Sequence, residues 1–263
     1  MKHSVGPTVV LALAVVVGCL FVGTNLYYNR ADLSLSDNGL HICAHLDDTF
    51  IHLQYGRQIG EGQWFRYNDG DPLSSGASSF LYVLLLGAAH FLGISGAQLL
   101  GFAIILGAGL FVLAALLGYE LGRRLGGERA GLWSGALIAA NGAFGWGATS
   151  GMEVALFSVL ILATLVAFLG ELSSGRFLLT PILGALSSLT RPEGLLFAVV
   201  ITGAVVYVLL RELRKSPPDS LRGTMAVLLY ALMPIGAGVA QYMFYTIATG
   251  SSAQRGCGQV SAL

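Results

Sequence analysis

Apolar runs of roughly twenty residues recur along this chain near residues 7–26, 97–121, 130–148, 152–170, 176–190, 194–210 and 224–247. Runs of about twenty residues can cross a hydrocarbon core of about 30 Å as helices, and the run 176–190 is a short span. Lipid offers backbone amides and carbonyls no partners, so spans must be helices or closed barrels, and no alternating strand pattern is present. Composition agrees: 55% of residues are hydrophobic, 11% are charged and the mean hydropathy is +0.73, against about 25% charged in soluble domains. The sequence therefore predicts an all-α integral membrane protein, one polytopic bundle of about seven transmembrane helices over residues 1–263. Fourteen basic residues balance fourteen acidic ones, which implies no nucleic-acid partner and a chain surrounded by membrane lipid.

Charge placement sets the topology. Residues 78–92 form an apolar stretch too short for an ordinary span. If they do not cross, Lys2, Arg123, Arg124, Arg129, Arg176, Arg211, Arg214 and Lys215 all fall on one side, as expected for cytoplasmic loops. Residues 27–96 then become an extracytoplasmic loop with interfacial helices, and three polar words share its side: Asp47-Asp48, Gly151-Met152-Glu153 and Arg191-Pro192-Glu193. The N-terminal run continues past Cys19 to Leu26, which suits an uncleaved anchor. Cys43 and Cys257 are the two cysteines that could share an oxidising compartment, and zinc-ligand spacing is absent. Gly101, Gly107, Gly131 and Gly135 read as helix-packing positions and Pro234 as a kink.

The densest chemistry lies in the loop. Asp47 and Asp48 open a stretch of helical periodicity, where one carboxylate suffices to complement the helix dipole. Their doubling points to chemistry, for adjacent carboxylates repel. On a helix Asp48, His52, Tyr55 and Ile59 share a stripe, Phe50, Leu53 and Arg57 lie off it, and the element is expected in the membrane interface. Trp64, Phe65 and Tyr67 read as headgroup anchors, with sugar stacking as the alternative. Asn68-Asp69-Gly70-Asp71-Pro72 is a turn signal, so Asp69 and Asp71 are read as turn formers. Glu153 falls in a first helical turn, where capping and function compete as explanations. Arg191 and Glu193 flank Pro192 at a corner near the outer leaflet, where a local ion pair competes with a polar cavity.

Taken in order, Asp47-Asp48 with Tyr55 and Arg57, then Gly62 and Tyr67-Asn68, Gly151-Met152-Glu153 and Arg191-Pro192-Glu193-Gly194 resemble the GT-C glycosyltransferases. The similarity is to the cell-wall arabinofuranosyltransferase and mannosyltransferase branch. This resemblance implies a bacterial enzyme of the inner (plasma) membrane with its site on the extracytoplasmic side. It would move a sugar from a polyprenyl-phosphate donor to a glycan, lipid or protein acceptor. Members of that family continue with further helices past the point corresponding to Leu263, so the resemblance also implies an N-terminal fragment.

By the same resemblance Asp47 is the general base that deprotonates the acceptor hydroxyl, and transfer inverts the anomeric centre. Asp48 would orient the acceptor or hold a divalent cation, Mg or Mn; no other cofactor is implied. A cation in a poorly solvated cleft would stabilise the leaving phosphate, with Arg191 the first choice and Arg57 the second. His52, Tyr55, Glu153 and Glu193 complete the expected substrate-binding set. Two other classes fit the sequence: a multi-helix transporter with buried Glu153, Arg191 and Glu193, and a subunit that binds lipid-linked sugar without turnover.

Overall fold

The computed structural model describes residues 5–28, 46–74, 76–77, 79–215 and 227–249. In order the elements are α1 (Gly6–Tyr28), α2 (Asp47–Gly60), α3 (Phe80–Phe91), α4 (Ala97–Ala139), α5 (Gly142–Ala148), α6 (Val154–Glu171), α7 (Leu179–Ser188), α8 (Glu193–Lys215) and α9 (Met233–Thr249). No strand occurs among the described residues. Four helical stretches are long and apolar enough to cross a membrane: Gly6–Tyr27, Ala97–Ala139, Val154–Glu171 and Glu193–Glu212. The chain is an all-α protein with the helices of a membrane protein.

Helix α4 is a hairpin rather than one rod. The backbone leaves helical geometry at Gly126 and Gly127, within the loop expected around Arg123–Arg129. The two legs then run back along each other, bringing Gly131 against the Tyr119 carbonyl and Gly135 against that of Ala115. Such small residues let helix backbones approach closely. Gly107 does the same against Ala148, whereas Gly101 faces open space and is not a packing position. Ion pairs of Glu120 with Arg123 at 2.8 Å and Arg124 at 2.7 Å brace the end of the first leg. Helix α1 packs along this hairpin through Val10 and Ala14, against Ala115, Tyr119 and Ala139.

Three expected spans are interrupted. The run 130–148 ends at Ala139 and resumes as α5, because the Asn141 side chain accepts the Phe144 amide at 2.9 Å and starts a new helix. The run 176–190 gives only the 10 residues of α7, about 15 Å of helix. Its first turn is capped by Glu171, which accepts the amides of Leu178, Leu179 and Thr180. The run 224–247 breaks at Leu232, and Pro234 occupies the first turn of α9 instead of kinking a helix interior. Proline is tolerated there because that amide has no helical partner. At 12 residues α3 is about 18 Å long and too short to cross alone.

Helices α2 and α3 pack against each other, and α3 meets α4 and α6 through Tyr82, Leu86, Leu99, Ala103, Leu156 and Leu160. The Leu81 amide donates to the Leu189 carbonyl at 3.0 Å, tying the start of α3 to the end of α7. Beside this junction Phe65 is buried rather than set among headgroups. Its ring stacks on Phe80 at 5.6 Å and meets the edges of Phe244 and Tyr245. Its φ of 55° is unusual for a residue with a side chain, and the four-ring cluster holds it there. Trp64 remains half exposed. Cys19 is exposed, and Cys43 and Cys257 lie outside the described residues.

Candidate functional site

The corner between α5 and α6 brings Glu153 to Arg191 and to His52 of α2. A helix end leaves carbonyls without intrahelical partners, and burying them unpaired is costly. Here three other elements supply the donors. Asn25 of α1 donates its amide to the Thr149 carbonyl. Thr49 of α2 donates its hydroxyl to Ser150 at 2.9 Å, and Tyr82 of α3 donates to Gly151 at 2.8 Å. Burial, reinforced by the Glu153 carboxylate, pushes the Tyr82 phenol well above the usual tyrosine range, so it remains a donor. Gly151 turns the chain at a φ of 83°, in the left-handed region that favours glycine. Tyr82→Phe keeps the ring and strands the Gly151 carbonyl, and should cost about 1–3 kcal/mol of stability. Denaturant titration of the purified variant in detergent micelles checks this.

The clamped corner delivers Glu153 into the protein. Glu153 is the N-cap residue of α6, but its carboxylate makes no capping hydrogen bond, and it is 1% exposed. Instead Oε2 faces His52 Nε2 at 3.5 Å and Oε1 faces Arg191 Nη1 at 3.6 Å. The His52 contact sits at the outer edge of ion-pair distance without hydrogen-bond alignment, since neither facing atom has a hydrogen-bond partner. His52 Nδ1 lies 2.9 Å from the Asp48 carbonyl oxygen, and its ring meets Tyr82 edge-on at 5.8 Å. Arg191 also reaches Glu193 at 3.4 Å. Two-thirds of the Arg191 side chain is covered, and Glu193 is largely exposed. A buried charge survives only where it is paired; Glu153 has an imidazole on one oxygen and a guanidinium on the other.

The Arg191 corner is itself tightly built. Pro192 precedes α8, and Gly194 packs against the last turn of α7, where a Cβ would overlap the Ser187 carbonyl and lie 2.8 Å from Ser188 Cα. Gly194→Ala must therefore part the two helices, with an expected cost of about 1–3 kcal/mol. The thermal midpoint of the variant relative to wild type reads it directly.

The remaining predicted residues divide. Asp47 and Asp48 stand exposed in the first turn of α2, whose N-cap is Leu46, and neither makes a capping bond. They sit one turn before His52 on α2, and the Asp48 carbonyl oxygen lies 2.9 Å from His52 Nδ1. Tyr55 shares the buried stripe with His52 and Ile59, but its hydroxyl bonds Ser74 Oγ and accepts the Gly76 amide at 3.1 Å. It fastens the chain after the turn and is closed off from the cluster. Arg57 lies on another face of α2, paired with Glu61 at 2.9 Å. That face borders a groove of about 580 Å³ lined by Phe50, Leu53, Leu100, Gln54, Arg57 and His90 among others. Asp71 accepts from the Asn68 amide at 3.0 Å and Asp69 accepts from Gln58, so both serve the turn.

Asn25, Thr49 and Tyr82 were not legible as site residues. The one available signal is Asn25, a carboxamide near the end of an apolar run. Among the described residues no group of three or more His, Cys, Asp or Glu side chains could hold a metal ion. Comparison with protein-family models, curated proteins and solved structures yields no match.

Proposed function

We propose that this chain is the membrane module of a glycosyltransferase that takes a sugar from a polyprenyl-phosphate donor on the extracytoplasmic side of the inner membrane. The observation that carries this reading is that His52, one turn from the acidic pair, and Arg191 both contact the buried Glu153. Charged groups near lipid are costly and mark functional cavities. The groove beside α2, lined by both apolar and polar side chains, suits an amphiphile.

In this reading Asp47, exposed to an incoming substrate, accepts the proton of an acceptor hydroxyl. The hydroxyl oxygen attacks the anomeric carbon as the carbon–oxygen bond to phosphate breaks. The bonding pair leaves with the polyprenyl phosphate, and the anomeric centre inverts. Arg191, held by two carboxylates and open on one side, stabilises the charge that gathers on the phosphate. Glu153 and His52 position Arg191. Glu193 tethers it from the exposed side, and Asp48 orients the acceptor or holds a divalent cation.

A second reading is favoured by the same burial: a His-Glu-Arg cluster within a helix bundle also suits a transporter. Incubating the purified protein in lipid nanodiscs with a labelled polyprenyl-phosphate sugar and a range of acceptors separates the possibilities. Label transfer supports the transferase. Binding without transfer indicates a lipid-linked-sugar subunit, and neither result favours the transporter.

A further inference from the structure

We propose that His52 and Glu153 form a buried proton-binding dyad that keeps one proton between them at neutral pH. This inference is independent of whether the chain transfers sugar. His52 Nδ1 is 2.9 Å from the Asp48 carbonyl oxygen, which can only accept, so Nδ1 carries a hydrogen. The lone pair of a neutral imidazole then lies on Nε2, and Nε2 faces Glu153 Oε2 at 3.5 Å. Both atoms are enclosed and neither has another hydrogen-bond partner. Two acceptors pointed at each other in a dry site repel. A single proton turns them into a donor and an acceptor, whether it rides on nitrogen or on oxygen.

The groups that face the dyad are the Arg191 guanidinium from the α7–α8 corner and the Tyr82 ring from α3. Glu193 stands behind Arg191, and Asp47 and Asp48 are exposed at the head of α2. The Tyr82 hydroxyl is neutral and committed to Gly151. The positive charge of Arg191 lies on the other oxygen, Oε1, at 3.6 Å, and leaves Oε2 facing Nε2 with no hydrogen-bond donor. Transfer within the dyad moves the proton from Nε2 to Oε2 and needs no other reactant.

Nuclear magnetic resonance of the protein in nanodiscs tests this directly, with ¹⁵N-labelled histidine and ¹³C-labelled glutamate. His52 can be assigned by its through-space contact with the Tyr82 ring. At pH 7.5 the expected result is one proton on the pair: either both His52 nitrogens protonated with Glu153 ionised, or Nε2 bare with the Glu153 carboxyl protonated. A bare Nε2 together with an ionised Glu153 overturns the proposal. In Glu153→Gln the amide can itself donate to Nε2, so His52 should lose its second proton at the same pH. An Nε2 that stays protonated in that variant would also overturn it. The wild-type measurement decides alone should the variant fail to fold.

Discussion

Asp47→Asn is expected to lower turnover by roughly two to four orders of magnitude, while the protein keeps its fold and its affinity for donor. The structure makes this substitution unusually clean. Leu46, not Asp47, is the N-cap of α2, and the exposed Asp47 side chain has no hydrogen bond or ion pair among the described residues. Its contribution to the helix is limited to a favourable dipole interaction, about 0.3–1 kcal/mol. A large loss of turnover therefore cannot be laid to unfolding. Steady-state rates with saturating donor and acceptor, beside a thermal melt of the same preparation, provide the check. Full turnover by the variant would remove Asp47 as the base.

Glu153→Ala is expected to destabilise the protein by about 3 kcal/mol, at the lower end of the range for breaking a buried pair. The lower end is appropriate because Arg191 keeps Glu193 and is one-third exposed, so it is not stranded. His52 loses more: Nε2 has no other partner among the described residues, and the void left by the carboxylate cannot be filled by the clamped 149–151 corner. Glu153→Gln should cost less, because an amide can still accept from Arg191 and donate to His52. Denaturant midpoints for wild type and the two variants measure the difference. Equal stability of Glu153→Ala and wild type would show that the carboxylate is not part of the structural frame.

The helical layout was legible because lipid allows so few alternatives. Apolar runs with basic clusters between them placed α1, the first leg of α4, α6 and α8 closely. What the sequence hid was helix interruption. A cap such as Asn141 divides an apolar run without lowering its hydropathy, and Glu171 caps α7 from 7 to 9 residues away, across the preceding turn. The site was half legible. Spacing on a helix put His52 behind Asp48, and the charge pattern put Glu153 and Arg191 at one end. Nothing in the spacing could separate Tyr55 from His52, since both lie on one stripe. They part only because Gly76 and Ser74 come back over Tyr55, while the α6 corner meets His52. Phe65 was misread for a related reason: Trp64, Phe65 and Tyr67 look alike as interfacial aromatics. The tertiary partners Phe244 and Tyr245, distant in sequence, decide which of them is buried.

The central claim is that the cluster around Glu153 receives the phosphate of a polyprenyl-phosphate donor through Arg191. The most direct measurement is the affinity of the protein in nanodiscs for a short-chain polyprenyl phosphate, compared between wild type and Arg191→Gln, with circular dichroism confirming that both remain folded. Loss of one charge-assisted contact to phosphate predicts binding roughly 10- to 100-fold weaker in the variant. Equal affinity in the two proteins, or no binding by wild type, would contradict the account.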